Sequence, residues 1–163
     1  LAEIKTAVIT LSDKGSRGER DDESGRILVQ KLRDAGFEIA FYEVIPDERD
    51  LLKDRLVSLS ERVDLIITNG GTGLSPRDIT PDVTLEVIEK EVPGIPEAMR
   101  SRGLEKTPRA MLSRGVAGIR GRCLIINLPG SPRAVMENLD VILDVIPHAV
   151  EKIKGSEEDC ART

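Results

Sequence analysis

Three aliphatic runs in this chain each stop at a polar, glycine-containing loop. Residues 4–11 (IKTAVITL) run into Ser12-Asp13, residues 63–68 (VDLIIT) into Asn69-Gly70-Gly71, and residues 123–128 (CLIINL) into Pro129-Gly130. Such runs read as strands buried on both faces of a parallel sheet. Residues 37–45 (FEIAFYEVI) alternate and are β-branched or aromatic, so they read as a further strand, ended by Pro46-Asp47. With two Phe, one Tyr and no Trp among 163 residues, the core has to be built from aliphatic side chains.

Helical patterns separate the strands. A helix is expected over residues 22–35, with Gly36 as its C-terminal stop. Leu51, Leu52, Leu56, Val57 and Leu59 mark a second, amphipathic one. Thr80-Pro81 reads as an N-cap followed by proline at the first helical position, opening a helix to about residue 91. Further helices are expected over residues 95–106, after Thr107-Pro108, after the Ser131-Pro132 cap (Val135, Met136, Leu139, Ile142 and Leu143), and from Pro147. Residues 115–120 read as a short strand. The order β-α-β-α-β-α-α-β-α predicts an α/β fold of three layers, a mostly parallel sheet flanked by helices. One domain is expected over residues 1–155, with a polar tail over 156–163.

In such folds ligands bind beyond the C-terminal strand ends. That rule gathers four loops on one edge: residues 12–21, Pro46-Asp47, residues 69–82 and residues 129–131. The segment 69–82 (NGGTGLSPRDITPD) is the sharpest. Its three glycines allow close approach of backbone amides, Thr72 and Ser75 add hydroxyls, and Arg77 adds a charge. Asp78 and Asp82, four residues apart across a helix start, are placed to reach one divalent ion. The segment is neither a P-loop nor a dinucleotide fingerprint, and it reads equally as a glycine-rich turn capped by Thr80. Asp47 reads as a helix N-cap or as a third carboxylate on that edge. Ser12-Asp13-Lys14 with Gly15 and Arg17 reads as a solvated loop or a phosphate grip. Ser113-Arg114-Gly115 reads as an anion contact or a helix end, and residues 127–131 as a site loop or a turn capped by Ser131.

The net charge of −5 disfavours nucleic acid and anionic membranes as partners. A phosphate ligand would therefore need local attraction from amides, a few Arg and Lys side chains, and a metal. Cys123 lies in an apolar run and Cys160 in the polar tail, without disulfide or zinc spacing, which suits a reducing cytoplasm. No apolar stretch is long enough to cross a membrane. His148, the single histidine, reads as structural, and no Ser-His-Asp or Cys-His arrangement offers a nucleophile. Positioning and metal electrostatics, as in phosphoryl or nucleotidyl transfer, fit such a chain better.

Residues 68–73 (TNGGTG) followed by residues 76–82 (PRDITPD) resemble the signature of the MoaB/Mog family of molybdenum cofactor proteins. So do residues 10–13 with Gly15, Arg17 and Gly18, residues 44–48, residues 110–114 and residues 127–132, all in the family's order. The likeness spans about residues 5–153. It implies a molybdopterin-binding-like fold, assembled as a homotrimer. It also implies adenylyl transfer from Mg·ATP to molybdopterin with release of pyrophosphate. On this likeness Asp47, Asp78 and Asp82 are the catalytic carboxylates, and Asp47 and Asp78 hold Mg²⁺. Gly70, Gly71, Thr72 and Gly73 face phosphate or nucleotide, and Ser12, Ser113, Arg114 and Ser131 face the pterin. Asp13, Asn69, Asn127, Pro129 and Gly130 complete the expected substrate site. Asn69 departs from the family's usual smaller residue or Asp. The likeness further implies hand-over of the product to a molybdate-inserting enzyme, an activity that larger, multidomain relatives carry. The rival expectation is a binding-only pterin carrier of the same fold.

Overall fold

The computed structural model describes residues 3–155, so Cys160 and the expected tail at 156–163 lie outside the described residues. Strand β1 (Lys5–Leu11) leads through a single-turn helix α1 (Asp13–Ser16) and helix α2 (Glu23–Asp34) to β2 (Glu38–Ile45). Helix α3 (Arg49–Ser60) leads to β3 (Leu65–Asn69) and helix α4 (Thr80–Val87). A short strand β4 (Lys90–Glu91), helix α5 (Gly94–Leu104) and a 3-10 turn (Pro108–Leu112) follow. Strands β5 (Ala117–Arg120) and β6 (Cys123–Leu128), then helices α6 (Pro132–Ile142) and α7 (Ile146–Ile153), complete the fold. No helix of the described residues is long and apolar enough to cross a membrane.

The six strands lie in the order β2-β1-β3-β6-β5-β4. The first four are parallel, and β5 and β4 extend the sheet by antiparallel pairs. The period of two divides the buried strands between two cores. Val8, Leu65, Ile67, Leu124 and Ile126 face Leu28, Leu32, Met99, Val135, Leu139 and Val150 from α2, α5, α6 and α7. Ala7, Ile9, Leu11, Ile66, Cys123 and Ile125 face Leu52, Leu56, Leu59, Val83 and Val87 from α3 and α4. Both faces of the sheet are therefore covered, giving the expected three layers. Burial pushes the Cys123 thiol up to about 12, so it stays a protonated, inert core group. The order in which strands are added reverses at β1: β2 lies on one side of it and β3 on the other. The cleft at such a switch point is where open α/β sheets place ligands.

Two helix expectations need correction at one place. The helix begun near Pro81 ends at Val87 rather than near residue 91, because Ile88 turns extended and the chain joins the sheet. Glu89 N donates to Ile119 O (2.7 Å) and Val92 N to Ala117 O (2.8 Å). Gly118 makes room for this, since a Cβ there would lie 2.6 Å from the Lys90 carbonyl oxygen. Thr80 is the first helical residue and not the cap. Ile79 holds the cap position without a side-chain bond. The Thr80 hydroxyl instead donates to Gly70 O (3.0 Å), and its amide to Gly71 O (3.1 Å).

Gly70 is the point at which the sheet edge closes. Its φ is +94°, its amide donates to Leu128 O (3.1 Å), and a Cβ would collide with the Leu11 carbonyl oxygen. One residue thus ties the ends of β1, β3 and β6 to the start of α4. Gly70→Ala is expected to destabilise the protein by about 2 kcal/mol or more, from left-handed strain plus the clash. Urea unfolding measures this; a loss below about 0.5 kcal/mol would show that the edge does not depend on that backbone.

Candidate functional site

A cavity of about 700 Å³ opens over the C-terminal ends of β1 and β3. All four loops expected at that edge reach it: Ser12 and Asp13, Asp47, Asn69 with Gly70, Gly71 and Asp78, and Gly130 with Ser131. The start of α2 was legible as a helix, but its residues were not among the expected site residues. Asp21, Asp22, Glu23 and Ser24, with Arg20 and Thr10, also line the cleft. The rule that β1 leads into a loop and then a helix contained that signal, because the helix must start where the strand ends.

Hydrogen bonds fix most of these groups. Ser12 Oγ accepts from Gly15 N (2.9 Å) and caps α1, and Asp22 caps α2 by accepting from Gly25 N (3.0 Å). Ser131 Oγ accepts from Ala134 N (3.2 Å) and caps α6 as expected. The Ser24 hydroxyl donates to Gly130 O (2.5 Å), locking the start of α2 to the loop after β6. The N-termini of α2 and α6 therefore both open on the cleft, an arrangement that favours a bound anion.

The carboxylates are not equivalent. Asp13 is bonded twice by Arg77, Nη2 to Oδ1 at 2.7 Å and Nε to Oδ2 at 3.0 Å, and its Oδ1 also accepts from Asp47 N (3.0 Å). The Arg77 hydrogen bond holds the Asp13 carboxyl below its ordinary pKa. Asp47 is raised instead, first by burial and then by the nearby charges of Asp13 and Asp78. It does not cap α3, whose cap position is Glu48 without a side-chain bond. Asp78 Oδ2 accepts from Ser75 N (2.9 Å), which keeps the carboxylate folded back on its own loop beside Gly73.

Several expected site residues lie elsewhere. Asp82 does not meet Asp78: its carboxylate pairs with Arg114 (3.1 Å), whose hydrogen bond lowers its pKa. Arg114 is likewise turned inward, donating also to Gly73 O (2.8 Å) and Asp78 O (2.7 Å). Thr72 is buried and Gly73 faces Arg114, so of the glycine segment only Gly70 and Gly71 line the cleft. The Gly70 amide is given to Leu128 O and not to a ligand. Asn127 is buried and saturated. Its Nδ2 donates to Thr68 Oγ1 and Thr84 Oγ1 (both 3.0 Å), and its Oδ1 accepts from Val116 N (3.2 Å).

Ser113, Asn127 and Pro129 line a second cavity of about 210 Å³ between α5 and α6, walled by Pro96, Met99, Ala110 and Ala134. Its polar groups include Arg100 and Thr107, which the sequence reading passed over. Their setting gave no signal apart from the Thr107 cap.

Asp47 and Asp78 are the cleft carboxylates of the expected metal pair that no arginine side chain bonds. Burial and the nearby charges of Asp13 and Asp78 disfavour the charged form of Asp47, a cost that a cation beside it would offset, while Arg77 is engaged by Asp13. No group of three His, Cys, Asp or Glu side chains among the described residues is placed to enclose an ion. The donors suit Mg²⁺, which takes one or two carboxylates and completes its shell with water and phosphate.

Residues 7–148 match the family model for a probable molybdopterin binding domain. The chain is 40% identical over 157 residues to the molybdopterin adenylyltransferase of Helicobacter pylori strain 26695, covering 94% of this chain and 89% of that one. It is 41% identical to gephyrin of Dictyostelium discoideum, covering 91% of this chain and 22% of that protein. The crystal structure of the molybdopterin biosynthesis enzyme MoaB from Thermus thermophilus superimposes with a TM-score of 0.88 at 50% identity, over 94% of this chain and 98% of that one.

The raised pKa of Asp47 has a measurable consequence. Its folded-state pKa is raised, so the carboxyl favours the fold most when protonated, and that contribution is lost as pH rises through the raised value. Asp47→Asn is expected to lift the thermal midpoint at neutral pH by roughly 1–3 °C. The gain should shrink as the pH falls through the raised value, where the native carboxyl also becomes neutral. A gain independent of pH would show that charge is not its source.

Proposed function

This chain belongs to the family of molybdopterin binding domains, and on that premise we propose that it is a molybdopterin adenylyltransferase of molybdenum cofactor biosynthesis. It transfers AMP from Mg·ATP to the terminal phosphate of molybdopterin and releases pyrophosphate. The observation that carries the reading is the meeting, in one cleft at the switch point, of Asp47 and Asp78 with Gly71 and the starts of α2 and α6.

In the reaction an oxygen of the pterin phosphate forms a bond to the α-phosphorus of ATP. The bond from that phosphorus to the α–β bridging oxygen breaks, and its electron pair leaves with pyrophosphate. No side chain forms a covalent intermediate, so catalysis consists of positioning and electrostatic stabilisation. The two helix starts and the Lys14 and Arg20 side chains at the cleft supply positive potential for phosphates. Gly71, with φ +70° and no side chain, lets the chain pass beside Asp47, where a Cβ would lie 2.9 Å from Oδ1. The Asp13–Arg77 pair anchors the backbone of Asp47 through the Asp47 amide. Mg²⁺, held by Asp47 and Asp78, would supply neutralisation of charge on the α-phosphate and the leaving pyrophosphate.

The protein works in the cytoplasm as a homotrimer and passes adenylylated product to a molybdate-inserting enzyme. The family resemblance supports the trimer and the hand-over, and the cysteine spacing supports the compartment. The gephyrin likeness, in which a matching segment makes up 22% of a larger protein, agrees with a reaction coupled to further steps.

Purified protein given Mg·ATP is expected to release pyrophosphate only when molybdopterin is added. Asp47→Asn/Asp78→Asn is expected to slow release at least about 100-fold, near 2.7 kcal/mol of transition-state stabilisation. Pterin binding without any release by the native protein would identify a binding-only carrier instead.

A further inference from the structure

Arg114 has the charge of a phosphate ligand but the contacts of a clamp. Its Nε donates to Gly73 O (2.8 Å) and its Nη2 to Asp78 O (2.7 Å). Nη1 reaches both carboxylate oxygens of Asp82, at 3.1 and 3.2 Å, and Nη2 reaches Oδ2 at 3.2 Å. Its own amide donates to Thr72 O (2.9 Å). The guanidinium and the amide thus join Thr72, Gly73, Asp78 and Asp82, and a lysine cannot reproduce the planar fork of the side chain. On the other side, the carbonyls of Ser113 and Gly115, which flank Arg114, both accept from Arg100 Nη1 at 3.2 and 3.0 Å. Ser113, Gly115 and Arg100 line the second cavity.

We infer that Arg114 is a positioning residue, with Asp82 as its counter-ion, that sets the Asp78 loop of the main cleft and ties it to the wall of the second cavity. It touches no substrate. This rests on the adenylyltransferase reading only in that Asp78 is the group being positioned. The bonds explain how it acts: two of the carbonyls it holds, Gly73 and Asp78, bracket the turn in which Asp78 Oδ2 accepts from Ser75 N. Releasing them lets that turn open and moves the carboxylate away from Asp47.

Arg114→Lys and Asp82→Asn separate this from direct substrate binding, because the two readings give opposite signs. For a clamp, Arg114→Lys lowers kcat about 10- to 100-fold while KM for Mg·ATP changes less than about threefold. Asp82→Asn shifts kcat the same way, less strongly. For a phosphate ligand, Arg114→Lys keeps the charge and most of the affinity, and Asp82→Asn frees the guanidinium and lowers KM. A KM effect with kcat unchanged, or a lower KM in Asp82→Asn, overturns the inference. Backbone hydrogen exchange of the full chain without ligands tests it independently of activity. Faster exchange in Arg114→Lys confined to residues 72–82 and 113–116 supports the clamp. Unchanged exchange there, or a uniform rise across the whole chain, overturns it. If the native protein releases no pyrophosphate, the adenylyltransferase reading fails, while the exchange pattern still decides the clamp.

Discussion

The structure depends on β1, β3 and β6 being buried on both faces. A strand in that setting has nowhere to put a charge, because an unpaired ion in the interior costs several kcal/mol. The buried polar residues these strands carry are neutral and mostly bonded within the protein. Thr6 donates to Ile4 O, Asn69 to Thr10 Oγ1, and Asn127 to Thr68 and Thr84. Charged groups are therefore displaced to the strand ends. At the C-terminal edge the parallel arrangement brings those ends together, so the burial that builds the core also concentrates the chemistry.

At that edge the carboxylates fall into two kinds. Asp13 and Asp82 each face an arginine, Arg77 and Arg114, and both have lowered pKa values for that reason. Asp47, whose pKa is raised by burial and by Asp13 and Asp78, has no such partner in the cleft. The arginine pairs have mechanical roles: one anchors the Asp47 backbone, and the other anchors the loop of Asp78. The pattern separates carboxylates paired with an arginine from Asp47, which has none and whose charged form burial disfavours, the kind of group that the proposed cation would serve. It also reconciles a chain of net charge −5 with an anionic substrate. On the proposed function the attraction arises locally, from helix starts, the Lys14 and Arg20 side chains and the proposed cation.

Strands, layers and the edge where the loops meet were legible in the residues, because aliphatic period and glycine punctuation act locally. The start of α2 at Asp22 and the Ser131 cap were legible for the same reason. Three features were not. The end of α4 at Val87 is decided by pairing of β4 with β5, remote in the chain, where Gly118 leaves the space. The direction of Arg114 depends on the fold of the 72–82 loop, and charge alone made it look like an anion ligand. Asn127 sits in a motif that resembles a ligand loop, yet three internal partners take up its amide, a fact that only cross-strand distances reveal. In each case the deciding partner is remote in sequence.

Asn69 carries the last consequence of this arrangement. Its Nδ2 donates to Thr10 Oγ1 (2.9 Å), and its Oδ1 is the one buried side-chain polar atom without a partner among the described residues. Leaving such an atom unbonded costs about 1–3 kcal/mol. It lines the same cleft in which burial raises the pKa of Asp47. Two unfavourable groups in one cleft, within a core otherwise saturated, are not what packing alone would select. A fold that optimised only its own stability would place an apolar residue at position 69 and a neutral one at position 47. Their presence at the switch point is the mark of a site shaped for something other than its own fold.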